Sequence, residues 1–206
     1  MVSGPKVFRM NMLVVYAHPV PTSFNAAVFE TVKKSLSDAG HQVRAVDLYA
    51  EGFQPVLSRE DREAYLGDTE TLIAKVPEHV ENLRWAEGLI FVFPTWFFGP
   101  PAILKGWFER VWLPGVTFNV ATRKGQTTSS CMRHIKRLAV ITTSGSPAWF
   151  MFVAGNPCKR YFLRCLRIQF NLRCKSLWMQ LYNMNVIGDA ERKKFLAKVE
   201  RRMLAL

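Results

Sequence analysis

Apolar residues along this chain fall into five short runs that read as strands, separated by stretches in which they recur at helical spacing. Met12–Tyr16 and Leu89–Phe93 are unbroken apolar runs, as expected of strands covered on both faces of a parallel sheet. Gln42–Asp47, Arg137–Thr142 and Arg173–Leu181 supply three more. Thr22 or Ser23 can cap a helix running to about Asp38, with Ala27, Val28, Val32 and Leu36 inward and Gly40 closing it. Ser58 can cap a short helix, Arg59–Leu66, and Asp68–Trp85 reads as helix interrupted at Pro77. A helix from about Ala102 carries Ile103, Trp107, Phe108, Val111 and Trp112 at helical spacing. Pro157 opens another, with Phe162, Cys165, Leu166 and Phe170 on one face and Lys159, Arg160, Arg164 and Arg167 on the other. Asp189 is placed to cap a last helix, Ala190–Leu206, whose inward face is Phe195, Leu196, Val199 and Met203. Strands alternating with helices predict the α/β class: a doubly wound, five-stranded parallel sheet in one domain over residues 10–206. Residues 1–9 read as a loose leader.

In open α/β sheets ligands bind beyond the carboxyl ends of the strands. Three such ends carry distinctive residues. After the central strand, Pro94 stops the ladder and Thr95, Trp96, Phe97 and Phe98 sit on a loop before Gly99-Pro100-Pro101. A loop this aromatic and this poor in charge suits a flat, apolar, redox-active ring better than a phosphate, though it can equally fold over the sheet as ordinary core. After the first strand comes His18-Pro19-Val20-Pro21-Thr22-Ser23-Phe24-Asn25. A short polar loop feeding a helix N-terminus can bind a phosphate through free N–H groups and the helix dipole, and can equally be a plain capped helix. After the fourth strand, Thr142-Thr143-Ser144-Gly145-Ser146 offers backbone N–H groups to a ligand edge, or is a solvent turn.

Charge and cysteine content narrow the classes. The 206 residues are 49% apolar and 13% aromatic, which excludes disorder, and their net charge of +12 is uneven. Nineteen of the 28 Lys/Arg follow residue 103, whereas twelve of the 16 Asp/Glu precede it. Such asymmetry suits anionic partners, from nucleotide phosphates to nucleic acid or a membrane. No nucleic-acid motif accompanies it, so nucleic acid is not expected. Membrane-surface contact through the basic helix after Pro157 is the less favoured reading of a helix that can simply dock on the sheet. Cys131, Cys158, Cys165 and Cys174 form no Cys-x-x-Cys and have no nearby histidines, so no metal site is expected. Free thiols suit a reducing compartment, and with neither a signal peptide nor an 18-residue apolar run the expected location is cytoplasmic. His41 and His79 read as exposed histidines. Leu113–Arg137 shows no clear periodicity, which in a compact domain is often functional.

Phe93-Pro94-Thr95-Trp96-Phe97-Phe98-Gly99 followed by Pro101-Ala102-Ile103-Leu104-Lys105-Gly106-Trp107-Phe108-Glu109-Arg110-Val111 resembles the central motif of the NAD(P)H:quinone oxidoreductases. His18 with Thr22-Ser23-Phe24-Asn25 is similar to that family's flavin-binding opening. The resemblance covers roughly residues 11–147 well and the rest weakly, and is closer to compact bacterial-type members. It implies a flavodoxin-like fold with strand order 2-1-3-4-5, FAD or else FMN as cofactor, NAD(P)H as co-substrate and a quinone as acceptor in ping-pong turnover. On that resemblance His18, Thr22, Ser23, Phe24, Asn25 and Ala27 would hold the cofactor's phosphate end. Pro94, Thr95, Trp96, Phe97 and Phe98 would flank its rings, and Thr142, Thr143, Ser144 and Gly145 its edge. Trp96, Phe98, Gly145 and Phe118 would meet substrate. The family's dimer, with shared active sites, would take Phe118 from the partner. At the two positions where better-known members carry a Tyr and a His, this chain has Phe150 and Asn156, neither of which titrates near neutral pH. That departure leaves a second reading open, a flavin-binding regulatory or electron-carrier subunit, such as one attached to a membrane transporter.

Overall fold

The computed structural model describes residues 9–206. Residues 1–8 of the expected leader lie outside that range, while Arg9 is tied down, its Nε donating to Gly40 O at 3.1 Å. Strands β1 (Asn11–Tyr16), β2 (Gln42–Asp47) and β3 (Gly88–Pro94) alternate with α1 (Phe24–Asp38) and with α2 (Arg59–Ala64), α3 (Thr69–Lys75) and α4 (Pro77–Trp85). Then come α5 (Ala102–Val111), a two-stranded hairpin of β4 (Phe118–Asn119) and β5 (Ser129–Ser130), and β6 (Arg137–Thr143). The chain ends with α6 (Ala148–Val153), α7 (Pro157–Arg160), β7 (Lys175–Leu181) and α8 (Asp189–Met203). The main sheet is parallel throughout, in the order β2-β1-β3-β6-β7. Counting only its five strands, that is the expected 2-1-3-4-5.

Alternation along the central strands builds two cores. Leu13, Val15, Leu89, Phe91 and Phe93 face one way, against α3, α4, α5 and the segment after Pro157. Met12, Val14, Tyr16, Ile90 and Val92 face the other way, against α1 and α8. All seven residues of β3 are buried, so a strand with no polar face lies in the middle of the sheet.

Several local expectations are corrected. The inward stripe of α1 is Val28, Phe29, Val32 and Leu36, while Ala27 falls on the outer flank and is exposed. After α7 the chain widens into a π turn (Tyr161–Leu166) and tightens into a 3₁₀ turn (Arg167–Gln169). In a wider turn residues four apart align, so Phe162, Leu166 and Phe170 go inward and Cys165 rotates out to solvent. Strand β7 starts two residues late, because Cys174 N–H closes a turn on Asn171 O (2.8 Å). Gly188, not Asp189, caps α8, with Glu191 Oε2 accepting Gly188 N–H at 3.1 Å, and the helix stops at Met203. The aperiodic Leu113–Arg137 excursion holds the β4–β5 hairpin.

The two histidines read as exposed are structural. His41 is buried, with Nδ1 accepting Met10 N–H at 3.3 Å. His79 is half-buried, with Nδ1 accepting Trp107 Nε1–H at 3.3 Å and the ring set edge-on to Phe53. Burial depresses the pKa of both, as it does for His18. All three folded values lie below the ordinary 6.5, so each contributes stability that is complete above that pH and lost as pH falls through the folded value. The denaturant midpoint is therefore expected to fall between about pH 7.5 and about pH 5.5, and equal midpoints would contradict this.

Candidate functional site

The loops after β1, β3 and β6 leave the sheet side by side, and their own polar groups bind them together. Thr95 N–H donates to Thr143 O at 2.7 Å, and the hydroxyls of Thr95 and Thr142 lie 2.9 Å apart. Asn25 Nδ2 reaches from α1 to Thr143 Oγ1 at 3.0 Å. The His18 and Trp96 rings stand 6.3 Å apart. Residues far apart in sequence thus meet at one carboxyl-terminal edge.

The start of α1 is prepared for an anion. Ser23 caps it, with Oγ accepting Ala26 N–H at 3.1 Å. No acidic residue stands in the first turn. Among the described residues, the N–H groups of Thr22, Phe24 and Asn25 meet no acceptor of the chain. Free amides at the positive end of a 15-residue helix favour a phosphate. His18 Nδ1 lies 3.0 Å from Val20 N–H, and burial lowers the pKa of the ring. Ser23→Ala is expected to lower stability by about 1 kcal/mol, the ordinary value of a lost hydroxyl cap. A thermal melt checks this, and an unchanged melting temperature would show the cap to be dispensable.

The aromatic loop is a tight turn. Trp96 N–H donates to Gly99 O and Gly99 N–H to Trp96 O, both at 3.0 Å. Between them Phe97 and Phe98 have φ of 46° and 64°. Two consecutive positive φ values are the signature of a type I′ turn, normally Asn-Gly, and two phenylalanines there are strained. Phe98 packs on Phe150, ring centroids 5.8 Å apart. Phe97 is 102% exposed. On the other side of the turn lies a cleft of about 270 Å³ that includes Lys105, Cys158 and Tyr161. Burial pushes the Tyr161 phenol and the Cys158 thiol each up to about 12, so both stay protonated.

The structure thus brings together His18, Thr22, Ser23, Asn25, Pro94, Thr95, Trp96, Phe97, Phe98, Thr142 and Thr143. Others stand elsewhere. The Phe24 ring faces Phe195 of α8 in the second core and only its amide faces the anion end. Ala27 is on the outer flank of α1. Ser144 N–H is already spent on Leu181 O (2.8 Å) and its Oγ accepts Ser146 N–H (3.1 Å). Among the described residues Gly145 N–H finds no acceptor, and a Cβ at Gly145 would come within 2.9 Å of Asn185 Nδ2. Phe118 lies on β4 beside Ser130, Arg133 and Ile168, in a separate cleft. Asn156 ends α6: its N–H donates to Met151 O (2.8 Å), behind Gly155 at φ 80°. Sequence reading gave no sign of the Asn25–Thr143 pairing or of the positive φ values.

A flavin fits this donor set. Asn25 Oδ1 is buried with no hydrogen-bond partner among the described residues, an acceptor that suits a hydroxyl or N–H beside the anion end. The free amides suit a phosphate, and exposed flat rings suit a flat heterocycle.

A five-stranded parallel sheet in this order, with an anion-ready helix after its first strand and an aromatic loop after its third, defines a flavodoxin-like protein. Residues 10–163 match the family model for the flavodoxin-like fold, and the chain belongs to that family. Within it, the chain is related to the NAD(P)H:quinone oxidoreductases. It is 36% identical over 155 residues to NAD(P)H dehydrogenase [quinone] 1 of Rattus norvegicus, covering 67% of this chain and 55% of that protein. It is 30% identical over 213 residues to the ribosyldihydronicotinamide dehydrogenase [quinone] of the same species, covering 95% and 91%. Among solved structures, the NAD(P)H:quinone oxidoreductase from Methanothermobacter marburgensis superposes with a TM-score of 0.80 at 26% identity, covering 95% of this chain and 98% of the other. The chain spans about half the length of the first curated relatives it matches. Among the described residues no helix is long and apolar enough to cross a membrane.

Proposed function

We propose that this chain is a flavin-dependent oxidoreductase that takes reducing equivalents from NAD(P)H and delivers two electrons to a quinone in ping-pong turnover. The observation that carries this reading is the buried Asn25 Oδ1, unpartnered among the described residues, between the anion-ready start of α1 and the loops after β3 and β6. The activities for which these relatives are named agree with it. A bound flavin, FAD or else FMN, supplies two-electron hydride chemistry. Thr22, Ser23 and the amides of Phe24 and Asn25 would hold its phosphate, and Gly145 N–H would serve its edge. Trp96, Phe97 and Phe98 would exclude water and orient flat reactants. Phe150 and Asn156 cannot move a proton. The Tyr161 phenol, protonated at neutral pH, can donate a hydrogen bond to a quinone oxygen without titrating. Phe118, outside its own chain's loop cluster, would complete the pocket of a second copy in a homodimer.

The test is an anaerobic titration of flavin-loaded protein with NADPH and separately NADH, following flavin absorbance, then addition of a simple benzoquinone. Rapid bleaching and rapid return with quinone are expected. Bleaching over hours would favour a carrier or regulatory subunit. Absence of any flavin binding would overturn the site. Chromatography of heat-released cofactor separates FAD from FMN.

A further inference from the structure

A cluster of cations lies at the opposite end of the sheet from the candidate site, where α8 ends against the starts of β6 and β7. Arg137, Lys175, Arg201 and Arg202 line a cleft of about 550 Å³ whose walls include Leu177 and Ala205. Side chains alternate along a strand, and Met179 belongs to the second core while Trp178 packs against the first. Lys175 and Leu177 therefore share the Met179 face, the one that α8 covers. By the same alternation Arg137 shares the face of Ala139 and Ile141, also in the second core. Leu113, Val116 and Met132, which flank the Phe118 hairpin, pack in the first core. The homodimer proposed above uses Phe118 on that other face and leaves this cleft open.

The four charges are unmatched. None of them meets an Asp or Glu side chain among the described residues. Glu87, next to Arg137 across the sheet, is taken by Lys136 at 2.6 Å, and Glu200 acts on Lys34 of α1. The half-buried Arg137 is held by two carbonyls, Nε donating to Leu206 O and Nη1 to Lys136 O, each at 3.4 Å. Its Nη2 has no acceptor among the described residues. If Leu206 O belongs to a terminal carboxylate, three positive charges still remain. The helix dipole accounts for Arg201 and Arg202 in the last turn of α8, but not for Arg137 and Lys175, which come from two strands.

A bilayer or a nucleic acid spreads its charge over a plane or along a line, whereas these cations converge on a concave cleft. A compact ligand with several negative charges matches them. Guanidinium forks take phosphate oxygens two at a time, and three of the four cations are arginines. We propose that this cleft binds a small ligand carrying two or three linked phosphates, with Arg137 as the fixed fork and Lys175, Arg201 and Arg202 closing around the remaining charge. The inference does not depend on the redox reading. Strand β6 joins the two ends of the molecule, running seven residues, or about 20 Å, from Arg137 to Thr143.

The test is calorimetric titration of the full chain with inorganic tripolyphosphate, with and without excess FAD, and with citrate as the carboxylate comparison. Tripolyphosphate is expected to bind whether or not FAD is present, to bind at least tenfold more tightly than citrate, and to weaken as salt rises. Arg201→Gln/Arg202→Gln, and separately Lys175→Gln/Arg202→Gln, should each lower affinity at least tenfold. These three positions are exposed, so circular-dichroism melts should match the parent and separate lost binding from lost folding. Failure of the parent to bind tripolyphosphate overturns the proposal, as does equal binding by Arg201→Gln/Arg202→Gln. Binding that excess FAD abolishes would place the anion at the start of α1 instead. Equal affinity for citrate, or tighter binding of a DNA duplex, would overturn the ligand class.

Discussion

Phe97→Gly will melt higher than the parent and work less well. The residue occupies the left-handed region, which costs a non-glycine side chain on the order of 1–3 kcal/mol. Its ring is fully exposed, so no packing among the described residues repays this. Glycine removes the strain but adds conformational freedom to the unfolded chain, worth about 0.5–1 kcal/mol in the opposite direction. The net gain is expected near 1 kcal/mol, or about 2–4 °C for a chain of this size. Under the proposed function the same change strips a flat wall from the cofactor end of the sheet. Flavin affinity or turnover should fall at least tenfold. Thermal melts without added flavin and steady-state assays with NADPH and a benzoquinone check the two halves separately. A variant that is stabilised yet fully active would show that Phe97 is not a wall of the site. One that is destabilised would show that the turn is not strained.

Gly106→Ala will be the most damaging small substitution in α5. A Cβ there would fall within 2.7 Å of Pro55 Cα and closer still to its carbonyl oxygen and Cβ. Backbone atoms cannot swing aside as a flexible side chain can, so the helix or the 53–57 segment must shift. That segment is anchored to α5 itself, with Arg110 Nη1 donating to Gln54 O at 2.7 Å. Arg110 also pairs with the buried Asp61 at 3.6 Å, which Lys75 bonds as well. A loss of about 3 kcal/mol is expected, with the melting temperature lower by roughly 6–12 °C. Because α5 follows directly on the Trp96 loop, cofactor affinity should fall with stability. Near-parental melting would mean that the Pro55 contact gives way cheaply.

The framework was readable because periodicity reports burial. An unbroken run such as Leu89–Phe93 has few ways to exist other than inside a parallel sheet, and the observed strand order followed. Caps were legible to a residue or two: Ser23 and Ser58 cap as expected, whereas Gly188 displaced Asp189. The rest depended on contacts or backbone geometry that residue type does not encode. Nothing in Phe-Phe announces a type I′ turn, a conformation it disfavours. The outward rotation of Cys165 required a π turn, which helical periodicity cannot anticipate. His41 and His79 read as surface groups because their partners, the Met10 amide and the Trp107 indole, are distant in sequence. The exposed face of α6 has the composition of a core helix, and its exposure follows from the fold and not from residue type.

Each loop of the candidate site springs from β1, β3 or β6, the three inner strands, and none from the edges β2 and β7. Inner strands exchange their amide hydrogens last, because exposing them requires nearly complete unfolding, whereas edge strands can fray at lower free energy. The site therefore sits on the part of the molecule that opens least often. Fluctuations that expose β7 or the hairpin to a protease need not disturb it, and heat should abolish binding and fold in one step.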